Sequence, residues 1–245
     1  MSKYQQNINS KKIIIATYGD VGISLLQVMF KNNFLKKNIL VLTHYKMKNN
    51  ERFISYLKHF GIKYILDNQN NKKIINVIKK SKCDLLLSFH YRKKISVDII
   101  NSPLYKSVNL HPSLLPKYAG CFSSVWAIFN GEKKTGITYH KMTNKFDDGN
   151  IILQKRLSIR KNDTAFSLFY KLLHLSFLHL NEVFDLIFNK KFEGVEQNKK
   201  KRSYYSRKMP NNGKINKNWT EEKKQRFYRC AYFPPINENY KFKIK

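Results

Sequence analysis

Acidic residues are scarce in this chain: 16 Asp and Glu against 47 Lys and Arg over 245 residues leave a formal charge of +31. Such an excess suits polyanions, whether nucleic acid, a membrane surface or a phosphorylated substrate. The chain is also heavy in Asn, Ile and Tyr, and with Lys these are what an AT-rich genome writes at permissive surface positions. A dedicated nucleic-acid interface is therefore not expected. Cysteine is nearly absent. Cys83, Cys121 and Cys230 are far apart and form no CxxC pair, which excludes a disulfide framework and fits reduced thiols in the cytoplasm. His44, His59, His90, His174 and His179 show no ligand grouping, although the last two share a predicted helix, so no metal is expected. Met1 to Ser10 is polar and lacks the apolar core of a signal peptide. No window approaches the roughly 18 uncharged apolar residues of a membrane span. A soluble cytoplasmic protein without membrane contact follows, and no repeat of solenoid length is present.

What is there is an alternation of short apolar runs with helical periodicity. Lys11 to Thr17 reads as a buried strand, Gly19 and Gly22 as a tight turn, and Ile23 to Met29 as a helix. Strands follow at Asn38 to Thr43, Lys63 to Leu66 and Cys83 to Ser88, with helices predicted over Asn50 to Phe60 and Lys72 to Lys80. This spacing predicts an α/β fold with a mostly parallel, twisted sheet and helices on both faces. GDVG at 19–22 is only half of a dinucleotide fingerprint, and no acidic residue follows the second strand to hold a ribose, so nicotinamide binding is not expected. Further on, Ser107 to Asn109 is a brief strand, Gly136 to Met142 and Ile151 to Gln154 flank a turn, and Ala165 to Phe188 carries one long apolar helical stripe. Thr220 reads as the N-cap of a last short helix.

The stretch that names a chemistry is Asn109-Leu-His111-Pro-Ser-Leu-Leu-Pro116, with Asp147-Asp148-Gly149 thirty-six positions after His111. Acyl transfer to an amine needs donors for a developing oxyanion, a base for the amine proton and an orienter for that base. Asn109, His111 and Asp147 are those three types. On an extended segment Asn109 and His111 project to the same side, and Asp147 could fix the imidazole tautomer. Asp148 reads as a solvated turn residue and His140 as a structural residue on a strand.

At NLHPSLLPKYAG, NGEKKTGITYHKM and FDDGNIILQ, in order and without a gap from about residue 105 to 158, the chain resembles the formyltransferases that use N10-formyltetrahydrofolate. These include phosphoribosylglycinamide, methionyl-tRNA and nucleotide-sugar formyltransferases. The resemblance implies a Rossmann-like formyltransferase fold with a catalytic domain over 1–188 and a small subdomain over 189–245 for acceptor binding or dimerisation. It places catalysis on Asn109, His111 and Asp147. It puts the folate pterin beside Lys93, Lys94 and Ile95 and the loop Thr143, Asn144, Lys145, Phe146 and Asp147, with largely backbone contacts. Too little chain follows the long helix for the large extra domain of the tRNA enzyme, and the phosphate loop of the glycinamide enzyme is reduced. Tyr205 to Pro210, Gly213, Ile215 and Arg229 to Pro235 resemble the accessory region of the sugar enzymes. The implied acceptor is a nucleotide-linked amino sugar, such as a dTDP-4-amino-4,6-dideoxyhexose destined for surface polysaccharide, handled by a homodimer. A pyrophosphate needs cations, for which Lys117, Arg207 and Lys208 are candidates. Tyr118, Trp126, Tyr232 and Phe233 are candidates to face a base or hexose, Trp126 being equally at home in the core. A noncatalytic RNA-binding protein on this scaffold and a hydrolase of the formyl donor are the other readings.

Overall fold

A computed structural model describes residues 10–45, 47, 50–67, 71–103, 106–188 and 193–234. The reading of Met1 to Ser10, apart from Ser10 itself, and Pro235 of the 229–235 motif lie outside the described residues.

Strands β1 (Ile13–Ala16), β2 (Ile39–His44), β3 (Lys63–Asp67), β4 (Leu85–Phe89), β5 (Lys106–His111), β7 (Lys134–Lys141) and β8 (Ile151–Ser158) form one sheet in the order β3-β2-β1-β4-β5-β7-β8. The pairs among β1 to β5 are all parallel. Every residue of β1 and of β4 is buried, so neither face of these strands meets water. That is why they read as continuous apolar runs instead of alternating ones. On one face Ile14, Ala16, Leu42 and Leu86 pack with Ile74 and Ile78 of helix α3 (Asn71–Ser81) and with Ile99 and Ile100 of α4 (Val97–Ile100). The strand order reverses between β1 and β4, the place where open sheets of this kind bind ligands beyond their carboxyl ends.

Helix α1 (Gly19–Lys31) starts directly at the glycine pair. Gly19 has a φ of +59°, as a turn demands. Gly22 departs from its expected turning duty: it lies inside the helix, where a Cβ would come within 2.6 Å of the Phe53 ring on α2 (Glu51–His59). The Gly19 N–H does not point at an open anion site. The Oδ1 of buried Asn50 accepts it at 3.0 Å, while the Asn50 amide donates to Thr43 Oγ1 and the His44 carbonyl.

The chain divides into two compact units, Met1–Leu110 with Tyr139–Ile152 and His179–Val195, and His111–Thr138 with Leu153–Leu178 and Glu196–Lys245. Within the second unit, β6 (Ala119–Gly120) pairs in parallel with β9 (Tyr204–Tyr205), and α5 (Ser123–Phe129) receives a bond from Arg226 of α8 (Glu221–Ala231) to the Phe129 carbonyl. Thr220 caps α8 as read, accepting from Lys223 N. The long helix does not hold: it is two helices, α6 (Ala165–Leu178) and α7 (Leu180–Phe188), broken at His179. The buried positions keep three- and four-residue spacing along the sequence through the break, at Leu172, Ser176, Leu180, Val183 and Ile187, so periodicity could not reveal it. No helix among the described residues is long and apolar enough to cross a membrane.

Candidate active site

The Asn109 side chain leaves β5 in the first unit, half-buried, and meets two partners. Its Nδ2 lies 3.1 Å from His140 Nε2 and 3.5 Å from Asp147 Oδ1. His140 Nε2 and Asp147 Oδ1 are 3.4 Å apart, which closes a triangle. The backbone holds two of these corners in place. His140 Nδ1 faces the Lys141 carbonyl at 2.8 Å, and Asp147 adopts a left-handed φ of +50°, a strained backbone that aims its carboxylate. The turn tolerates no side chain two residues later: a Cβ on Gly149 would lie 2.0 Å from the Lys141 carbonyl oxygen. The Asp-x-Gly pattern is thus a packing requirement of the loop against β7 as well as a source of a carboxylate.

His111 ends β5 and is 4% exposed. Its Nε2 lies 2.7 Å from the Tyr118 carbonyl oxygen, which can only accept. Nε2 therefore carries the hydrogen, and in the neutral ring Nδ1 holds the lone pair. The tautomer is set by a backbone carbonyl supplied by the proline coil, in which Leu115–Pro116 is a cis peptide.

The residues assigned to the folate lie on two loops of the first unit. Lys93 Nζ donates to the Asp67 carbonyl at 3.0 Å, Ile95 is buried, and the Lys94 ammonium sits 5.4 Å from the centroid of the Phe146 ring, which is 52% exposed. Lys94 and Phe146 thus link the two loops by a cation–π contact. Thr143 Oγ1 accepts from Lys145 N and donates to its carbonyl, folding the segment around exposed Asn144 into a tight turn. A cavity of about 360 Å³ opens beside the first loop, lined by Asp67, Tyr91, Lys93, Lys94, Ile95 and Ile99. Behind it, buried His44 stacks on Tyr91 at 4.2 Å and accepts the Arg92 N–H through Nε2. Burial first, and then the nearby Lys93 and Arg92 charges, push the His44 pKa down to about 4, so this imidazole stays neutral. The Tyr91 hydroxyl donates to Asp67 at 2.6 Å.

The acceptor candidates in the second unit fall into three settings. Tyr118 and Trp126 both stack on Tyr205, at 5.4 and 4.4 Å, a partner the sequence reading had not singled out as a site residue. Tyr118 is buried, its hydroxyl donates to Glu132 and accepts from Asn130, and burial pushes its phenol pKa upward. The Trp126 indole N–H is buried without an acceptor. Lys117 is exposed and 4.0 Å from Glu132; Arg207 and Lys208 are exposed beyond β9. Tyr232 and Phe233 pack edge-on against Phe166 of α6, and Phe233 also against Phe169. Among the described residues no group of His, Cys, Asp and Glu could hold a metal ion.

The structure thus gathers a carboxylate, an amide and an imidazole, those of Asp147, Asn109 and His140, near the carboxyl end of β5. The family profile described as formyl transferase matches residues 35–183, and the chain belongs to that family. The bifunctional polymyxin resistance protein ArnA of Wigglesworthia glossinidia brevipalpis is 37% identical over 213 residues, covering 84% of this chain and 32% of that protein. The chain therefore spans about a third of that relative's length. GDP-perosamine N-formyltransferase of Brucella melitensis is 35% identical over 225 residues, 92% of this chain and 86% of its own length. In three dimensions the chain is similar to an N-formyltransferase of Helicobacter canadensis solved with folinic acid and dTDP-3-aminofucose. The TM-score is 0.74 at 26% identity, over 91% of this chain and 81% of that one.

Proposed function

We propose that this chain transfers the formyl group of N10-formyltetrahydrofolate to the amine of a nucleotide-linked amino sugar. The observation that carries the reading is the approach of Asn109 to Asp147: 38 positions apart in the chain, they lie 3.5 Å apart, beside a strand that ends in His111. The cavity next to Lys93, Lys94 and Ile95 suits a flat pterin, with apolar wall from Ile95 and Ile99 and polar groups from Asp67 and Tyr91 beside it. The relatives support a sugar acceptor, yet the nucleotides in their names differ, GDP in one and dTDP in another. A dTDP-4-amino-4,6-dideoxyhexose destined for surface polysaccharide is the finer reading, with a GDP-linked amino sugar beside it. Action in the cytoplasm as a homodimer belongs to the same proposal.

In this scheme Asn109 donates an amide N–H to the formyl oxygen as the sugar amine attacks the formyl carbon. His111, whose Nδ1 holds the lone pair in the neutral ring, takes up the amine proton and as imidazolium stabilises the developing oxyanion. The new C–N bond forms, the bond to N10 breaks, and the proton lost by the amine ends on N10, relayed by His111 and Asp147. The products are a sugar formamide and tetrahydrofolate. Incubating the protein with the donor and a panel of GDP- and dTDP-linked amino sugars tests this. A product heavier by one CO unit, from one sugar class and dependent on donor, is expected; absence of any such product from every sugar would reject the proposal.

A further inference from the structure

His140 lies within a strand, and its surroundings give it a more specific task. The ring is 2% exposed inside β7, and its two nitrogens face chemically different partners. Nδ1 lies 2.8 Å from the Lys141 carbonyl oxygen. That oxygen has no hydrogen to give, so Nδ1 bears the proton, and the Nε2 of a neutral ring is left with a lone pair. Asn109 Nδ2, at 3.1 Å, is then the donor to Nε2, and its amide hydrogens serve both that lone pair and the Asp147 carboxylate, which itself lies 3.4 Å from Nε2.

Turning the Asn109 amide over would replace its nitrogen by Oδ1. That oxygen would face the ring lone pair at 3.1 Å and the Asp147 carboxylate at 3.5 Å, two acceptor–acceptor contacts in place of two hydrogen bonds. Inside a poorly solvated cluster such a reversal is strongly disfavoured. The two amide hydrogens are not held equally. One is committed to His140 at 3.1 Å, while the other reaches Asp147 at the outer limit of hydrogen bonding. The loosely held one can pass to another acceptor at little cost.

We infer that His140 is a positioning residue, whose Nε2 lone pair fixes the nitrogen end of the Asn109 amide and reserves the second N–H for the formyl oxygen. This rests on the formyl transfer proposed above, and it makes His140 act on the reaction only through Asn109.

The test is a double-mutant cycle on the full chain with saturating donor and acceptor. His140→Leu is expected to lower kcat about 100-fold, with both KM values within about threefold, because oxyanion donors act in the transition state. His140→Gln, whose terminal oxygen can accept the same N–H near the Nε2 position, is expected to restore kcat to within about tenfold of the native value. In an Asn109→Ala background, adding His140→Leu is expected to change kcat by less than about twofold. Native kcat in His140→Leu, or losses that multiply fully in the double variant, would overturn the inference. Should His140→Leu not fold, nitrogen-15 shifts of the histidine rings in the native protein decide: Nδ1 protonated with Nε2 bare supports the lock, and a protonated Nε2 refutes it. These shifts need no turnover, so they test the amide lock separately from the assigned reaction, which fails on its own if the native protein makes no formamide.

Discussion

Two polar clusters, one in each unit, differ in how closely their members approach one another. In the second unit Tyr118, Asn130, Glu132 and Tyr205 close on one another with bonds of 2.9 to 3.2 Å, and their rings are stacked. In the first unit Asn109, His140 and Asp147 meet at 3.1, 3.5 and 3.4 Å, and one corner stands on a left-handed backbone. The closed cluster resembles a rivet, tying Tyr205 of β9 through Asn130 to Tyr118 of the coil. The looser one is joined by longer contacts, of the kind that can tighten when a further group arrives.

Changes in the looser cluster should cost rate, and changes in the closed one should cost stability. The largest expected effect is Asp147→Asn: kcat falls about 10³-fold, near 4 kcal/mol of barrier, while thermal melting moves little. A variant that melts far below the native protein but retains its rate would reverse the contrast. Next, the buried neutral His44 has a folded pKa of about 4 against 6.5 unfolded. Acid protonates the unfolded chain first, so stability present above pH 6.5 is lost as pH falls towards 4, by about 3 kcal/mol. Urea melts should show the native protein losing this much more stability across that window than His44→Phe does; parallel curves would show that His44 takes up its proton without cost. Tyr205→Ala removes the shared ring between Tyr118 and Trp126 and is expected to cost about 2–3 kcal/mol of stability, with kcat at saturating acceptor within about threefold. The smallest effect is at Lys117, exposed and 4.0 Å from Glu132: Lys117→Ala changes stability by less than about 0.5 kcal/mol. A role on the acceptor phosphates would nonetheless raise acceptor KM about tenfold, which titration of the sugar nucleotide would show.

Much of the first unit was legible because its inner strands are buried on both faces and announce themselves as apolar runs; β1 to β4 fall within two residues of their predicted ends. The division of 165–188 was not legible, since His179 interrupts the helix without a glycine or proline and without disturbing the spacing of the buried positions. Gly22 shows a similar limit. A glycine beside a turn looks like part of it, and only the Phe53 ring, some thirty residues away in sequence, explains the missing side chain. Asn50, which satisfies Gly19 N–H, carried no local signal either, because its partners come together only in the folded unit.

At the site, the types and order of Asn109, His111 and Asp147 could be read from sequence, but their surroundings could not. The Tyr118 carbonyl that sets the His111 tautomer is a backbone atom and leaves no residue signature. His140 sits in a strand whose burial pattern already explains it, so its link to Asn109 appears only when β5, β7 and the Asp147 turn are brought together. Tyr205 is one tyrosine among 15, distinguished only by the two rings it touches.

If Asn109, His111 and Asp147 move a formyl group to an amine, the path of that group can be followed by isotope. Following a carbon-13 formyl label in a single turnover, with native protein and Asp147→Asn in parallel, tests this most directly. The expected result is label on the sugar nitrogen, appearing about 10³-fold more slowly in the variant. Label released as formate whether or not sugar is present, or equal rates in the two proteins, would contradict it.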